Sequence, residues 1–346
     1  MPGRRTIVAF ALGLALVAPA QAALAKPRPV VIGYLAAFHN MKGTLAATDL
    51  GKLTHLNLAF VNPGPDASIV TGDHMSCMDT NPGSAPVQDI RDIVTAAHAK
   101  GVKVLASLGG GRIPACAGDW PGLLQGNKSA VLVANLLQFV DDYDLDGLDV
   151  DLEWDVLMAI ETGDHYVPFV AELSKGLKKR GKLLTCATAS HPGGMVPQAS
   201  LHYFSYVNIM AYDTIGPSWG TPGDEHATLA QAEADIATWQ TLGLPKAKLI
   251  LGVPFYGYGF NGYDRGYPYK TILATFGPSA ADTDVQGQAC AGCQYVTYNG
   301  RATIQAKARL ALQKGAGVMI WELSEDAPAP DSLLEAVDEA LNPREP

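Results

Sequence analysis

Four carboxylates lie within nine residues at Asp146–Trp154, inside an otherwise apolar stretch of the chain. Asp149, Asp151 and Glu153 are spaced by two positions, so in a β-strand their side chains point to the same face. Carboxylates placed this closely in a buried setting repel one another and lose hydration, which raises the pKa of at least one of them. Proteins keep such arrangements mainly at sites that use them, and a raised carboxyl pKa suits an acid catalyst.

An edge strand or a calcium-binding loop would fit the acidic row less well. A solvent-facing edge strand is typically protected by Lys or by mixed charges, and this row carries one sign. A calcium-binding loop needs a Gly at its sixth position and a Glu at its twelfth, and neither stands at the required place. The row therefore indicates a catalytic strand.

The pattern Asp-x-x-Asp-x-Asp-x-Glu at 146–153 resembles the signature of glycoside hydrolase family 18, the chitinases and their relatives. In that family it forms the fourth strand of a TIM barrel, and its last Glu is the catalytic acid. Other strand ends are similar too: Ser107-Leu108-Gly109-Gly110 resembles the family's Ser-x-Gly-Gly, Met210-Ala211-Tyr212-Asp213 resembles Met-x-Tyr-Asp, and Tyr34, Phe60, Tyr256 and Trp321 stand at matching places.

The resemblance implies a role for each of these residues. Glu153 would protonate the leaving oxygen, and the 2-acetamido oxygen of the substrate would act as nucleophile. Asp151 would orient the acetamido N–H with Asp149 behind it, while Tyr212 and Asp213 would contact the same sugar. The remaining predicted substrate contacts are Tyr34, Phe60, Ser107, Gly109, Gly110, Met210, Tyr256 and Trp321. Ser107 would also hydrogen-bond into the cluster of Asp149 and Asp151. The resemblance implies neither a cofactor nor a metal.

The expected substrate is a polymer or oligomer that carries N-acetyl groups, such as chitin or chito-oligosaccharides. A net charge of −9 and a pI near 5.3 argue against nucleic acid and suit a neutral polymer. Two kinds of alternative stay open. The same machinery could act on another substrate, either N-glycans, as an endo-β-N-acetylglucosaminidase, or peptidoglycan. The other alternative is a lectin that binds chitin without cleaving it. Such lectins typically lose the acid, and Glu153 is present. We expect a monomer.

Short β-branched runs alternate with helical patterns along the chain, which predicts a parallel sheet. We predict strands at Val30–Leu35, His55–Val61, Val102–Leu108, Gly147–Glu153, Leu183–Thr188, Tyr206–Met210, Leu249–Pro254 and Gly317–Trp321. Helices are predicted at Val87–Lys100, Ala130–Tyr143, Tyr166–Arg180, Leu229–Leu242 and Ala306–Gln313. Eight such units in an α/β chain favour a (β/α)8 TIM barrel over an open doubly wound sheet.

The predicted domain is a single one at residues 26–346. Residues 258–300 are too long for a bare barrel loop and resemble, in reduced form, the α+β insertion that family relatives carry between strands seven and eight. A reduced insertion predicts a shallow, open substrate groove. Tyr256, Tyr258, Tyr267 and Trp219 are the aromatic candidates for further sugar contacts.

The N-terminus and the cysteines predict export. Residues 1–25 combine Arg4 and Arg5, an apolar run and small-x-small sites, as in a secretory signal peptide that is cleaved after residue 22 or 25. We therefore predict an extracellular or periplasmic protein with no membrane contact after cleavage. Of five cysteines, we pair Cys290 with Cys293 and Cys77 with Cys116, which leaves Cys186 as a buried thiol.

Overall fold

The computed structural model describes residue 3, residues 28–80 and residues 83–343. Apart from residue 3, the predicted signal peptide lies outside the described residues. The strands are β1 (Val30–Ala36), β2 (His55–Val61), β3 (Val70–Thr71), β4 (His74–Thr80), β5 (Gly83–Pro86), β6 (Lys103–Gly110), β7 (Gly147–Leu152), β8 (Leu183–Thr188), β9 (Tyr206–Ile209), β10 (Leu249–Pro254), β11 (Tyr256–Phe260), β12 (Tyr267–Pro268), β13 (Val285–Gly287), β14 (Tyr295–Thr297) and β15 (Gly317–Trp321).

The α-helices are α1 (Met41–Ala47), α2 (Val87–His98), α3 (Trp120–Leu123), α4 (Asn127–Asp142), α5 (Trp154–Thr162), α6 (Tyr166–Lys179), α7 (Leu229–Thr241), α8 (Tyr269–Phe276), α9 (Arg301–Lys314) and α10 (Leu333–Leu341). Within the described part of the chain, no helix combines the length and the apolar character that a bilayer crossing requires.

Eight parallel strands close into a barrel in the spatial order β1, β15, β10, β9, β8, β7, β6, β2. The predicted TIM barrel is thus confirmed, and all eight predicted strands are present. The predicted fourth strand is one residue too long, because β7 ends at Leu152 and α5 begins at Trp154. Glu153 consequently lies at the carboxyl end of the strand, the edge of a TIM barrel where active sites form.

The residues of β7 divide between two environments. Leu148, Val150 and Leu152 pack into the large core between the strands and the surrounding helices. Burial of each such side chain contributes about 1.5–3 kcal/mol to stability. Asp149 and Asp151 alternate with them, are almost fully buried, and face the barrel interior, where Asp149 contacts Tyr34. The apolar face thus offsets the cost of turning two acids inward.

Short helices account for most of what the sequence pattern missed. α10 is preceded by Ser332, whose hydroxyl accepts a hydrogen bond from the backbone N–H of Glu335 at 3.0 Å. That Ser-x-x-Glu spacing is a capping-box signal. α5 lacks a comparable cap, since no side chain caps its first turn.

Two small antiparallel sheets extend the barrel. Strands β3, β4 and β5 form a hairpin sheet after β2, which the sequence pattern did not predict. Strands β11 to β14, with α8, form the insertion between β10 and β15. Its first strand begins at Tyr256, two residues before the predicted start of the insertion at residue 258.

Candidate active site

Asp149 is the structural anchor of the acidic row. Its carboxylate accepts hydrogen bonds from Tyr34 (2.7 Å), Ser107 (2.7 Å), Thr185 (2.5 Å) and Asn208 (3.3 Å). Burial raises its pKa, and the four donors oppose that rise by stabilising the anion. A carboxylate enclosed by four protein donors is held in place and is not available to a substrate.

Asp151 and Glu153 form a hydrogen-bonded pair of carboxyl groups. Burial raises the pKa of Asp151 well above its usual value, and the charges of Glu153 and Asp149 raise it further. Burial and the charge of Asp213 raise the pKa of Glu153 to about 7. Near neutral pH the pair therefore holds at least one proton, and Glu153 has the acidity of a general acid.

Two glycines allow the backbone to approach the acidic strand closely. Gly109 has φ +100°, and a Cβ there would lie 2.6 Å from the carbonyl oxygen of Asp151. Gly110 has φ +96°, and a Cβ there would lie 2.5 Å from the ring of Phe60. With Ser107, these glycines lie behind the cavity wall rather than on it, which corrects their predicted role as sugar contacts. The predicted hydrogen bond of Ser107 into the acidic cluster is present, to Asp149.

Aromatic rings form the floor of the cavity. The indole of Trp321 stacks on Phe60 with ring centroids 5.4 Å apart and an interplanar angle of 22°, and Tyr34 meets it edge-on at 5.4 Å. The hydroxyl of Tyr212 contacts only the sulfur of Met319, at 3.8 Å, among the described residues. An apolar floor with one free hydroxyl suits the face of a sugar ring and its N-acetyl group.

Asp213 closes one side of the cavity with its backbone in the left-handed region, at φ +62°. Tyr256 and Tyr258 donate hydroxyl hydrogen bonds to its Oδ1 at 2.6 and 2.8 Å, and His226 Nε2 lies 3.2 Å away. Burial by itself would raise the pKa of Asp213, but these partners hold it below its usual value. Asp213 is therefore an anion. Tyr256 donates to Asp213 and does not line the cavity, which corrects its predicted role as a sugar contact.

The cavity encloses about 1100 Å³. Acidic, aromatic and loop residues line it together: Tyr34, Phe38, Phe60, Asn62, Gly83, Ser84, Gly111–Cys116, Asp151, Glu153, Trp154, Ala187, Met210, Tyr212, Asp213, Met319 and Trp321. A disulfide between Cys77 on β4 and Cys116 ties the hairpin sheet to the loop after β6, and both segments contribute to the wall. Within the described part of the chain, no residue of the insertion between β10 and β15 lines this cavity.

The other cysteines and aromatic candidates occupy defined places. Cys290 and Cys293 form the second disulfide, and Cys186 is a buried thiol. Trp219 is 44% exposed beside the cavity and meets Tyr258 edge-on, so it remains available for sugar contact. Tyr267 is buried and has a packing role, which removes it from the predicted sugar contacts.

Three residues that contact the acidic side chains were not predicted from the sequence. Thr185 and Asn208 are buried donors to Asp149, and each is a polar residue inside an otherwise apolar strand, which is the signal that could have found them. No sequence signal marked His226 as part of the site, yet its buried side chain contacts Asp213. No local spacing links His226 to Asp213, because a long loop separates them.

Comparison with known proteins agrees with this geometry. Residues 30–326 match the model of "Glycosyl hydrolases family 18". The crystal structure of the GH18 chitinase ChiB from the chitin utilization locus of Flavobacterium johnsoniae is 32% identical, with a TM-score of 0.77, over 91% of this chain and 94% of that one.

Two curated relatives differ in how much of them is matched. "Probable chitinase 10" of Drosophila melanogaster is 30% identical over 49% of this chain but only 8% of its own length. "Endochitinase 1" of Metarhizium robertsii is 23% identical over 94% of this chain and 92% of its own. The family model, the structural similarity and the acidic row agree, and the chain belongs to glycosyl hydrolase family 18.

Proposed function

We propose that this family 18 glycoside hydrolase cleaves β-1,4 bonds between N-acetylglucosamine units of chitin and chito-oligosaccharides, with retention of configuration. The observation that carries the proposal is Glu153: a half-buried carboxyl group, with a pKa of about 7, at the edge of a cavity floored by aromatic rings. Relatives whose printed names are chitinases support the choice of substrate.

Glu153 is the residue placed to protonate the leaving oxygen. A carboxyl group with an ordinary pKa near 4.5 would be almost fully ionised at neutral pH and would have no proton to donate. Because burial and the Asp213 anion raise its pKa to about 7, roughly half of Glu153 is protonated at pH 7. General acid catalysis of this kind contributes about 10²–10⁴-fold in rate.

No protein carboxylate of the cavity is well suited to be the nucleophile. Asp151 is hydrogen-bonded to Glu153 and has a pKa well above its usual value, so it is protonated when Glu153 is ready to act. Asp213 is ionised, but two tyrosine hydroxyls and His226 engage its Oδ1. We therefore assign the nucleophile to the substrate: its 2-acetamido oxygen attacks the anomeric carbon while the leaving oxygen takes the proton of Glu153.

The remaining cavity residues then have positioning roles. Asp151 has an Oδ1 without a hydrogen-bond partner among the described residues, and it would receive the acetamido N–H. The free hydroxyl of Tyr212 would hold the acetamido oxygen near the anomeric carbon. Trp321, Phe60 and Met210 would contact the apolar faces of the sugar. Water then opens the cyclic intermediate, with Glu153 acting as base.

One substrate comparison tests this function. Turnover is measured on colloidal chitin, on a high-mannose glycoprotein and on peptidoglycan, at equal enzyme concentration. We expect hydrolysis of chitin and short products. Faster cleavage of the glycoprotein would assign the same machinery to an endo-β-N-acetylglucosaminidase, and binding of chitin without turnover on any substrate would identify a lectin.

The small insertion leads us to propose frequent release of the polymer during cleavage. Few aromatic side chains in or beside the cavity are exposed: Phe38, Trp154 and Trp219 are 42%, 48% and 44% accessible. Few stacking contacts hold a chain weakly. Early chitin digestion should therefore lower polymer viscosity and give mixed oligomers, whereas a strong excess of dimer with little change in viscosity would contradict this.

We also propose that the mature protein is exported and acts as a monomer. The N-terminal pattern of residues 1–25 and the two disulfides support export, because disulfides persist in oxidising compartments. N-terminal sequencing of protein recovered from the medium or periplasm tests cleavage after residue 22 or 25, and light scattering tests the monomer.

A further inference from the structure

His226 is a buried histidine that the reaction described above does not use. Its side chain has no solvent exposure. It lies in the loop before α7, where its backbone N–H donates to Thr297 Oγ1 at 2.9 Å and its carbonyl accepts from Asn299 at 3.4 Å. The backbone of His226 is thereby held on two sides by β14 and by the residues that follow it.

The imidazole ring of His226 contacts Asp213 at two atoms. Nε2 lies 3.2 Å from Asp213 Oδ1 and 3.2 Å from the Asp213 backbone nitrogen. One ring nitrogen can serve only one of these partners in a neutral imidazole, as donor to the carboxylate or as acceptor from the N–H. Donation to Asp213 Oδ1 is the favoured arrangement, because an accepting Nε2 would leave a buried Nδ1–H without a partner among the described residues.

We propose that His226 is a positioning residue that keeps Asp213 ionised and turned toward Glu153. It thereby extends the pH range in which Glu153 is an acid and Asp213 an anion, a role that rests on the proposed function. The charged and titratable groups that face the ring are Asp213, the hydroxyls of Tyr256 and Tyr258, and the ammonium of Lys307.

These neighbours keep His226 neutral while Asp213 is charged. Burial lowers the pKa of His226, Asp213 opposes that effect, and Lys307 adds to it. A neutral donor stabilises the Asp213 anion without cancelling its charge. The full negative charge of Asp213 therefore acts on Glu153, whose pKa it raises, and on the positive charge that develops on the sugar.

The test compares variants that keep or remove the hydrogen-bonding group at the position of His226 Nε2. His226→Gln places an amide where Nε2 stands, whereas His226→Phe and His226→Asn remove that group, and Asn provides a smaller side chain should Phe prevent folding. His202→Phe, on an exposed ring outside the site, is the matched control. The pH profile of kcat/KM on a chromogenic chito-oligosaccharide is measured for each, with melting temperatures as a check of folding.

We expect the Phe and Asn variants to have a narrower profile. The acid limb moves up by about one pH unit, because Asp213 loses a donor that stabilises its anion, and the alkaline limb moves down, because an Asp213 carboxylate released from the ring no longer holds its charge toward Glu153. The Gln variant and His202→Phe keep the profile of the wild type. An unchanged profile in the Phe and Asn variants, whatever their loss of rate, would overturn the proposal, and so would equal narrowing in the Gln variant.

A second readout does not depend on activity. Carboxyl-¹³C-aspartate NMR, with Asp213→Asn to assign the signal, should show Asp213 titrating below 3.8 in the wild type and at least one unit higher in the Phe or Asn variant. Absence of hydrolysis by the wild type would refute the proposed function alone, whereas an unmoved Asp213 signal would refute the role of His226 alone.

Discussion

Replacement of Asp213 by Asn should shift the pH dependence of the enzyme in a calculable way. The pKa of Glu153 is raised from 4.5 to about 7, with burial the larger cause and the charge of Asp213 the next. Removal of the Asp213 charge leaves burial, the larger cause, in place, so the pKa of Glu153 should fall by about one pH unit, to about 6. The side chain keeps its size, so burial persists.

The loss of rate follows from the protonated fraction. At pH 7 about half of Glu153 is protonated in the wild type and about one tenth in Asp213→Asn, which predicts an approximately fivefold loss in kcat/KM from protonation alone. At pH 5 both enzymes are almost fully protonated, so that loss should vanish. Any loss that remains at pH 5 measures the missing charge and sugar contact.

The assay is kcat/KM on a short chromogenic chito-oligosaccharide from pH 5 to pH 9. The alkaline limb of such a profile reports the acid of the free enzyme. An alkaline limb near pH 7 that does not move in Asp213→Asn would refute the electrostatic coupling. A wild-type limb near 4.5 would refute the raised pKa of Glu153 itself.

Three other perturbations have expected outcomes. Asp151→Asn should lower the rate by orders of magnitude with a smaller change in affinity, and a thiazoline analogue should inhibit the wild type; a covalent sugar trapped on a protein carboxylate would contradict substrate assistance. Replacement of both Cys77 and Cys116 by Ser should cost up to about 4 kcal/mol in free energy of unfolding, because the bridge spans 39 residues, and non-reducing peptide maps should show no bridge to Cys186. Burial lowers the pKa of Lys307 from 10.5 to about 7, so above pH 7 the unfolded chain binds more protons than the folded one and wild-type stability rises with pH. The free energy of unfolding gained by Lys307→Met should therefore be largest at pH 7 or below and should fall between pH 7 and pH 9. A gain that stays constant over this range would mean that the lysine is solvated.

The sequence predicted the barrel well because strand signals were local. Four strands match residue for residue, since each is a short, mostly apolar run with a polar residue directly before or after it. The acidic row was equally local, because a spacing of two fixes the face of a strand. Glu153 was recognised although it lies one residue beyond the strand.

What the sequence could not provide depended on contacts between distant segments. Thr185, Asn208 and His226 join the site only after the barrel closes. Gly109 was expected to contact sugar, yet the barrel places it behind the acidic strand, where only a small residue fits. Ser107 was expected both to contact sugar and to bond to the acidic cluster, and the structure has the second contact. The motif marked these residues as part of the site, but it could not distinguish a residue that contacts the sugar from one that supports the acidic strand.

The most direct test of Glu153 as general acid is the variant Glu153→Gln. Its amide keeps the shape of the side chain but has no acidic proton, so turnover of chitotetraose should fall about 10²–10⁴-fold while affinity for the same oligosaccharide changes little. Glu172→Gln, the same substitution at an exposed position of α6, should retain wild-type turnover. Turnover of Glu153→Gln near that of the wild type, with the variant folded, would contradict the assignment of Glu153 as the acid.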